Sequence, residues 1–384
     1  MDSVTKKLIE KEYAHLKSIY FNSAYFGPSP IRSKVTIEQA MQKELDPSFY
    51  AYDEWMSISE NLRIKFAELL KTKADFITHS TSSSDVVNIV ANGFIFEKGD
   101  HVAAIDKDYP SNILPWMLAE KNFKQFTFDR IELDQVVPTA EWLEKKLHPQ
   151  TKIFDMSWVT FDTGKKMDIL SIGKMLRSKG ILFIVDATQA LGGMDITPEE
   201  LSYVDILTCS SYKWMLGPYG HAFAYFNQTA QDKIYHRNAN WILSPKSKVV
   251  YNLLDYTTET LPGARQYDRG QAANLLCSGC LEGSLSFLNE VGLSVIQKHN
   301  AEIRDYFLEH YPQDKYSLVT PREYMGNIVC LKASNADSVA LENELKSRNV
   351  DVSVRQGNIR LSFHIFNTKS QVDELIKALD HTRA

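Results

Sequence analysis

Apolar residues in the middle of the chain come in short continuous runs, separated by stretches with helical spacing. "HVAAID" (101–106), "KQFTFD" (124–129), "KIFDMSWV" (152–159), "LFIVDA" (182–187), "DILTCSS" (205–211) and "AFAYFN" (222–227) predict strands. Between several of them, "SDVVNIVANGF" (84–94), "TAEWLEKKL" (139–147) and "ILSIGKMLRSKG" (169–180) predict helices, the last stopped by Gly180. Strands alternating with helices give βαβ units and a mostly parallel sheet covered on both faces, which is why these strands are apolar throughout. The texture changes at the polar, Pro/Gly-containing "PGARQYDRGQAAN" (262–274). Long amphipathic helices follow over 274–311, then "NIVCLKA", a helix "SVALENELKSRN", the pair "VDVSVR" and "NIRLSFH", and a final helix "SQVDELIKALDHTR". The expected fold is α/β: a three-layer α/β/α large domain (15–262) with a mostly parallel sheet, plus a smaller C-terminal α+β domain (263–384, joined by 1–14).

Composition narrows the function class. With 384 residues, 44% hydrophobic and 24% charged, the chain has the balance of a globular protein large enough for two domains. A net charge of −5 without a basic block excludes a nucleic-acid footprint. The first twenty residues carry charges throughout, unlike a signal peptide, and no run of about 18 apolar residues predicts a membrane span. Four cysteines are too few for a disulfide framework, so a reducing, cytoplasmic location is expected. Cys277 and Cys280 form a CxxC without a second pair, so they are expected as buried small residues and no metal is expected.

Candidate chemistry centres on "CSSYKWMLGP" (209–218). Lys213 follows an apolar strand and stands between two aromatics. It is either a solvated charge at a strand end or a partly desolvated amine suited to Schiff-base chemistry. Asp186 closes another apolar strand, where open α/β sheets place ligand contacts. It can cap a following helix, or it can pair with a protonated pyridine nitrogen. Gln189 lies three residues on. "HSTSSSDVVNIVANG" (79–93) runs hydroxyls into a helix start, which makes either an ordinary cap or a phosphate site. In "DKDYPSNILPW" (106–116), Tyr109 before Pro110 sits in a stiff loop and could stack on a flat ring. Arg360 in "NIRLSFHIFNT" is costly in an apolar strand unless paired, by an internal carboxylate or a substrate's. Arg355 is a second candidate.

Together, from "FNSAYFGPSP" (21–30) to "IRLSFHIFNT" (359–368), these stretches resemble the class V aminotransferases. These are fold-type-I pyridoxal phosphate (PLP) enzymes that include cysteine desulfurases, kynureninase and isopenicillin N epimerase-like proteins. "DATQALG" and "SSYKW" are the specific elements. The resemblance implies that Lys213 is the Schiff-base lysine, Asp186 the partner of the pyridine nitrogen and Gln189 a contact of the phenolic oxygen. It places Ser83, Ser84, Ser210 and Tyr212 around the phosphate, Tyr109 on the ring, and Arg360 on the α-carboxylate of an amino-acid substrate. "DRGQAAN", with Gly270, Gln271 and Asn274, resembles the loop that reaches a neighbouring subunit's phosphate, implying a homodimer with shared sites. There are departures. No cysteine stands in "SRNVDVSVRQGNIRLSF", where desulfurases carry a reactive one, and Trp158 and Phe161 replace a histidine and an asparagine. The resemblance favours an aminotransferase, with a β-eliminating C–S lyase close behind, then an epimerase; a non-catalytic binding protein is the reading from another class.

Overall fold

The apolar runs form strands close to where their patterning puts them. The computed structural model describes residues 1–49, 51–134, 137–248, 254–270, 274–334 and 337–382. After a short strand β1 (Ile19–Tyr20), the central sheet is built from β2 (Ile77–Ser80), β3 (Asp100–Ile105), β4 (Phe126–Ile131), β5 (Thr151–Ser157), β6 (Leu182–Asp186), β7 (Ile206–Ser210) and β8 (Ala222–Phe226). Their order is β2-β8-β7-β6-β5-β3-β4. Only β8 runs against its neighbours, pairing antiparallel with both β2 and β7. β4 begins two residues later than the run at 124 suggests. Lys124, at φ 56°, is the left-handed cap of helix Leu114–Phe123, so the strand cannot start before it.

Alternation along each strand explains the continuous apolar runs. Leu182 and Ile184 pack with Val86, Val90 and Trp116 of helices on one face. Phe183 and Val185 pack with Leu62, Phe66, Leu143, Ile172 and Leu176 of helices on the other. Both faces are covered, giving three layers, as a mostly parallel sheet requires.

A second, antiparallel sheet follows: β9 (Tyr316–Leu318), β10 (Ile328–Ala333), β12 (Ser353–Arg355) and β13 (Asn358–Ser362), in the order β12-β13-β10-β9. It shares a cluster with Ile303, Phe307, Leu341, Leu345, Val372 and Leu375 of its helices. Between β10 and β12, β11 (Val350–Asp351) pairs in parallel with β1, tying the N-terminal segment to this sheet. Gly292, at φ 84°, separates helices Leu275–Val291 and Leu293–His310. The CxxC serves packing. A Cβ on Gly283 would stand 2.5 Å from the Ser33 backbone, so helix Leu275–Val291 lies against helix Ile31–Leu45 at close range. Cys280 is buried in that contact, whereas Cys277 is only half-buried. Among the described residues, no helix is long and apolar enough to cross a membrane, and no group of three His, Cys, Asp or Glu could hold a metal.

Candidate active site

Adjacent parallel strands β5, β6 and β7 end on Ser157, Asp186 and Ser210, and all three line one pocket. Asp186 stands opposite Ser157 in the β5–β6 register. No helix follows it. Residues 187–191 turn tightly instead, and Asp186 Oδ1 accepts the Thr188 N–H at 2.8 Å. Burial raises the Asp186 pKa, Thr188 opposes that rise, and the nearby Asp108 adds to it. Gln189 is anchored through its side chain: its Nε2 donates to the Ala24 carbonyl at 3.1 Å and its Oε1 accepts from Trp214 Nε1 at 3.0 Å. One amide proton remains for a ligand.

Lys213 sits in the loop that leaves β7, clamped at its backbone. Ser211 Oγ donates to the Pro218 and His221 carbonyls, and the Gly27 N–H donates to the Tyr212 carbonyl at 2.8 Å. A Cβ on Gly27 would lie 1.8 Å from the Lys213 carbonyl oxygen, so only glycine permits this approach. Leu216, at φ 57°, closes the turn with its N–H on the same oxygen at 3.0 Å. A bulky residue in the left-handed region is strained, and its place beside the lysine is typical of functional sites. The Lys213 side chain is 6% exposed, and its amine makes no hydrogen bond to a described residue. Nζ lies 5.3 Å from the Tyr109 ring centre and 5.4 Å from that of Tyr212. Burial lowers its pKa from 10.5 to about 8; Asp186 opposes the shift and the charge of Arg360 adds to it. The solvated alternative is excluded by this burial.

A knot of hydroxyls faces the amine across the pocket. Ser83 Oγ is 2.9 Å from Thr188 Oγ1 and 3.1 Å from Ser210 Oγ, and the Ser83 N–H points to Ser210 Oγ at 3.3 Å. Ser83 opens helix Ser83–Gly93, capped by Ser82 through the Asp85 N–H, so the positive end of a helix points here. Thr188, inside "DATQALG", carries no signal of its own in the sequence. Ser84 does not line the pocket and instead pairs with Ser111 at 2.6 Å.

Tyr109 is held by a network that patterning did not reveal. Half-buried Asp108 accepts from the Tyr109 N–H (2.6 Å), the Ser157 N–H (2.7 Å) and Ser157 Oγ (2.6 Å). Asn112 Nδ2 donates to Ser157 Oγ at 3.1 Å. Phe161 packs edge-on to Tyr109 at 5.1 Å and lines the pocket. Burial raises Asp108 as well.

Arg360 is 2% exposed on β13. Nε donates to Ser353 Oγ at 3.2 Å and Nη1 to the Phe161 carbonyl at 2.6 Å, while the buried Nη2 has no partner. No carboxylate pairs with it among the described residues, so the internal salt bridge does not form. Burial lowers its pKa to about 10, with Arg355 adding to the effect. Arg355 faces a neighbouring cleft, its guanidinium 5.7 Å from the Tyr25 ring centre. Asn274 caps helix Leu275–Val291 through the Cys277 N–H at 3.0 Å and does not line the pocket; Gln271 lies outside the described residues.

These residues fit the cofactor that the resemblance implies. The unpartnered, buried Arg360 Nη2 asks for an acceptor, and the Lys213 amine is free and partly discharged. The hydroxyls at a helix N-terminus ask for an anion. A larger cleft of about 770 Å³, lined by Asn88, Phe94, Arg237 and Arg269 among others, shares no lining residue with this pocket and presents no nucleophile or general base. The thiols are poor nucleophiles: burial raises the pKa of Cys209, Cys277, Cys280 and Cys330, that of Cys330 to about 12.

Comparison with known proteins agrees with the geometry. The family described as Aminotransferase class-V matches residues 49–375. A probable cysteine desulfurase of Methanothermobacter thermautotrophicus is 22% identical over 396 residues, covering 94% of this chain and 94% of that protein. An uncharacterized aminotransferase of Bacillus subtilis, YcbU, is 25% identical over 353 residues, covering 91% and 90%. Among solved structures, the cystine C–S lyase C-DES in complex with cysteine persulfide superposes with a TM-score of 0.86 at 17% identity, over 96% of this chain and 99% of that one. The apo cysteine desulfurase of Thermococcus onnurineus NA1 gives 0.84 at 18% identity, over 98% and 97%. Those two likenesses are of fold. The family match spans most of the chain and meets a buried lysine, a strand-end aspartate and an unpaired arginine in one place: the chain belongs to the class-V aminotransferase family.

Proposed function

We propose that the chain is a PLP-dependent lyase that cleaves the C–S bond of a cysteine-type amino acid by β-elimination. The observation that carries the choice within the family is the turn between β12 and β13. Only Gln356 and Gly357 join these strands, at φ 49° and 74°, and no cysteine lies there. With every thiol of the chain raised, a route that parks sulfur on an enzyme cysteine lacks its nucleophile. The relatives named desulfurases and the structurally similar cystine lyase support sulfur amino acids as the substrate class.

Bound PLP supplies an electron sink for the pair left at the substrate Cα. The chain supplies the rest. Ser83, Ser210 and Thr188, with the Ser83 N–H and Tyr212, hold the phosphate. Asp186 holds a proton at the ring nitrogen, and its raised pKa suits a shared proton. Gln189 offers its free amide proton to the phenolic oxygen, and Tyr109 covers the ring. Arg360 Nη2 takes the substrate carboxylate, with Nη1 and Nε already fixing the guanidinium plane. Lys213 would hold the cofactor through its amine and, once free, would take the substrate Cα proton. An amine of pKa about 8 is a competent base near neutrality. A homodimer in which Gln271 and Asn274 serve the neighbouring site belongs to this reading, as do the division near residue 262 and a cytoplasmic location, the last resting on four unpaired cysteines.

The test is product analysis with PLP-loaded protein and L-cysteine. Pyruvate, ammonia and sulfide in equal amounts are expected. Alanine with enzyme-bound sulfur would replace the reading with desulfuration. A keto acid formed without ammonia would replace it with transamination, which the family name and the Bacillus relative keep as the second reading.

A further inference from the structure

We propose that a cleft beside Arg360 is a subsite for a second amino-acid head, so that the substrate carries zwitterionic groups at both ends. This rests on the functional reading above and narrows its substrate class to bis-amino acids joined through sulfur.

The cleft encloses about 430 Å³ and is lined by Tyr20, Tyr25 and Ser353 and by four charged residues, Glu342, Lys346, Asp351 and Arg355. Glu342, Asp351 and Arg355 are half-buried; Lys346 is exposed. None of the four forms an ion pair with any described residue. The absence is pointed for Glu342 and Lys346. They stand four residues apart on helix Ser338–Ser347 in the order that favours pairing, yet they do not meet. Asp351 accepts only from Asn22 Nδ2, and Arg355 donates only to the adjacent Val354 carbonyl. Half-buried charges left without a counter-charge lose hydration and recover little. Two cations and two anions around one space offer both halves of a zwitterion their counter-charges.

The cleft and the catalytic pocket share no lining residue, but Arg360 links them. Ser353 lines the cleft, and its Oγ accepts from Arg360 Nε. Tyr20 also lines it, held by a 2.6 Å bond to the Phe26 carbonyl. Burial raises this phenol first and Asp351 of the cleft adds to the rise, while Arg360 on the other side opposes it. The charge of Arg355 is felt at Lys213 as well. A substrate held by Arg360 at one end therefore has the unpaired charges of the cleft as neighbours at the other. A single-headed amino acid would leave them unused.

The test compares two ligands on PLP-loaded protein: L,L-cystathionine, with two heads, and S-methyl-L-cysteine, with one. Affinity is read by calorimetry on the PLP-loaded Lys213→Ala variant, which cannot turn over, and KM on the parent. Arg355→Gln and Glu342→Gln are each added, with melting temperature as the check of folding. Each is expected to weaken cystathionine binding by roughly 10-fold or more, as loss of a charge-assisted contact does. S-methylcysteine should change by less than about twofold. Equal losses for both ligands, or no loss for either, would overturn the subsite while leaving the lyase reading intact. Failure of the parent to bind either amino acid would overturn the lyase reading and the subsite with it.

Discussion

Burial of Lys213 has a stability consequence that needs no substrate. Its pKa falls from 10.5 to about 8 on folding. At ~1.4 kcal/mol per unit, holding the charged amine in this site costs about 3 kcal/mol. The unfolded chain binds the proton more tightly, so between pH 8 and 10.5 it carries more protons than the folded chain. Stability contributed at this site therefore rises with pH across that window, and the full penalty is present below it. Replacing the lysine with methionine removes the charge and keeps the volume. In PLP-free protein, Lys213→Met is expected to be more stable than the parent at pH 7. The difference should shrink by about 3 kcal/mol as pH passes 10.5, where the parent's lysine is neutral in both states. Urea unfolding of both proteins at the two pH values measures it, and the difference between variants cancels the other groups that titrate there. The same pKa leaves roughly 10% of the amine uncharged at pH 7, against roughly 0.03% for a free lysine. Reductive trapping of an aldehyde should therefore favour Lys213 over surface lysines. A stability gap independent of pH, with trapping no faster at Lys213, would show that the amine is solvated.

Three further outcomes follow from contacts around the site. Gly27→Ala would push a methyl to within 1.8 Å of the Lys213 carbonyl oxygen, and neither backbone can yield cheaply. A loss of about 1–3 kcal/mol is expected by thermal unfolding, with weakened PLP binding; an unchanged Tm would refute the close approach. Asp108→Asn removes one of the two carboxylate oxygens that tie Tyr109 to Ser157. PLP affinity, read by fluorescence titration, should drop by roughly 10-fold if that network positions the ring. His364, buried with its Nε2 on the Trp214 carbonyl at 3.0 Å, has its pKa lowered from 6.5 to about 4 by burial. Its unfolded form takes up a proton first as pH falls, so up to about 3 kcal/mol of stability should be lost between pH 6.5 and 4. His364→Asn should flatten that part of the urea-midpoint profile.

Much of the site was legible because catalytic groups sit where apolar strands stop. Asp186 and Ser210 each close a continuous run, and Lys213 follows one by three residues. Period and polarity alone therefore pointed at the carboxyl edge of the sheet. Ser157 carries the same signal at the end of β5, but the apolar run continues through Trp158 and Val159 and makes the serine look interior. Asp108 was hidden for a different reason. In a loop close to a lysine and a proline it looks like solvated polarity, and only the tertiary contact with Ser157 shows that it is tied into the site. β2 escaped because four residues containing a histidine, a serine and a threonine have no strand pattern of their own. Its burial comes from lying beside β8. Arg360 was flagged by cost, and the cost is real: the structure satisfies two of its nitrogens with Ser353 and Phe161 and leaves the third open.

What no local pattern could supply is the clamping of the lysine's backbone by remote segments. The Lys213 carbonyl is met by Gly27 from the N-terminal loop, and the next carbonyl, of Trp214, accepts from His364 beyond the last strand. A Cβ on Gly192 would come within 2.1 Å of that same Trp214 oxygen, and the Trp214 indole is fixed by Gln189. Three regions distant in sequence therefore converge on two consecutive peptide units. The left-handed Leu216 costs backbone energy of about 1 kcal/mol or more, and such a conformer persists only where its surroundings over-determine it. The segments that clamp the lysine also carry its chemistry. Gln189 lies in the Asp186 turn, His364 lies just past the strand that carries Arg360, and Gly27 follows Phe26, whose ring packs 5.8 Å from that of Tyr212. A shift of the second sheet would thus move Arg360 and the Lys213 backbone together. Substrate grip and base position are mechanically coupled, and a substitution at Gly27 or His364 should disturb both without touching either side chain.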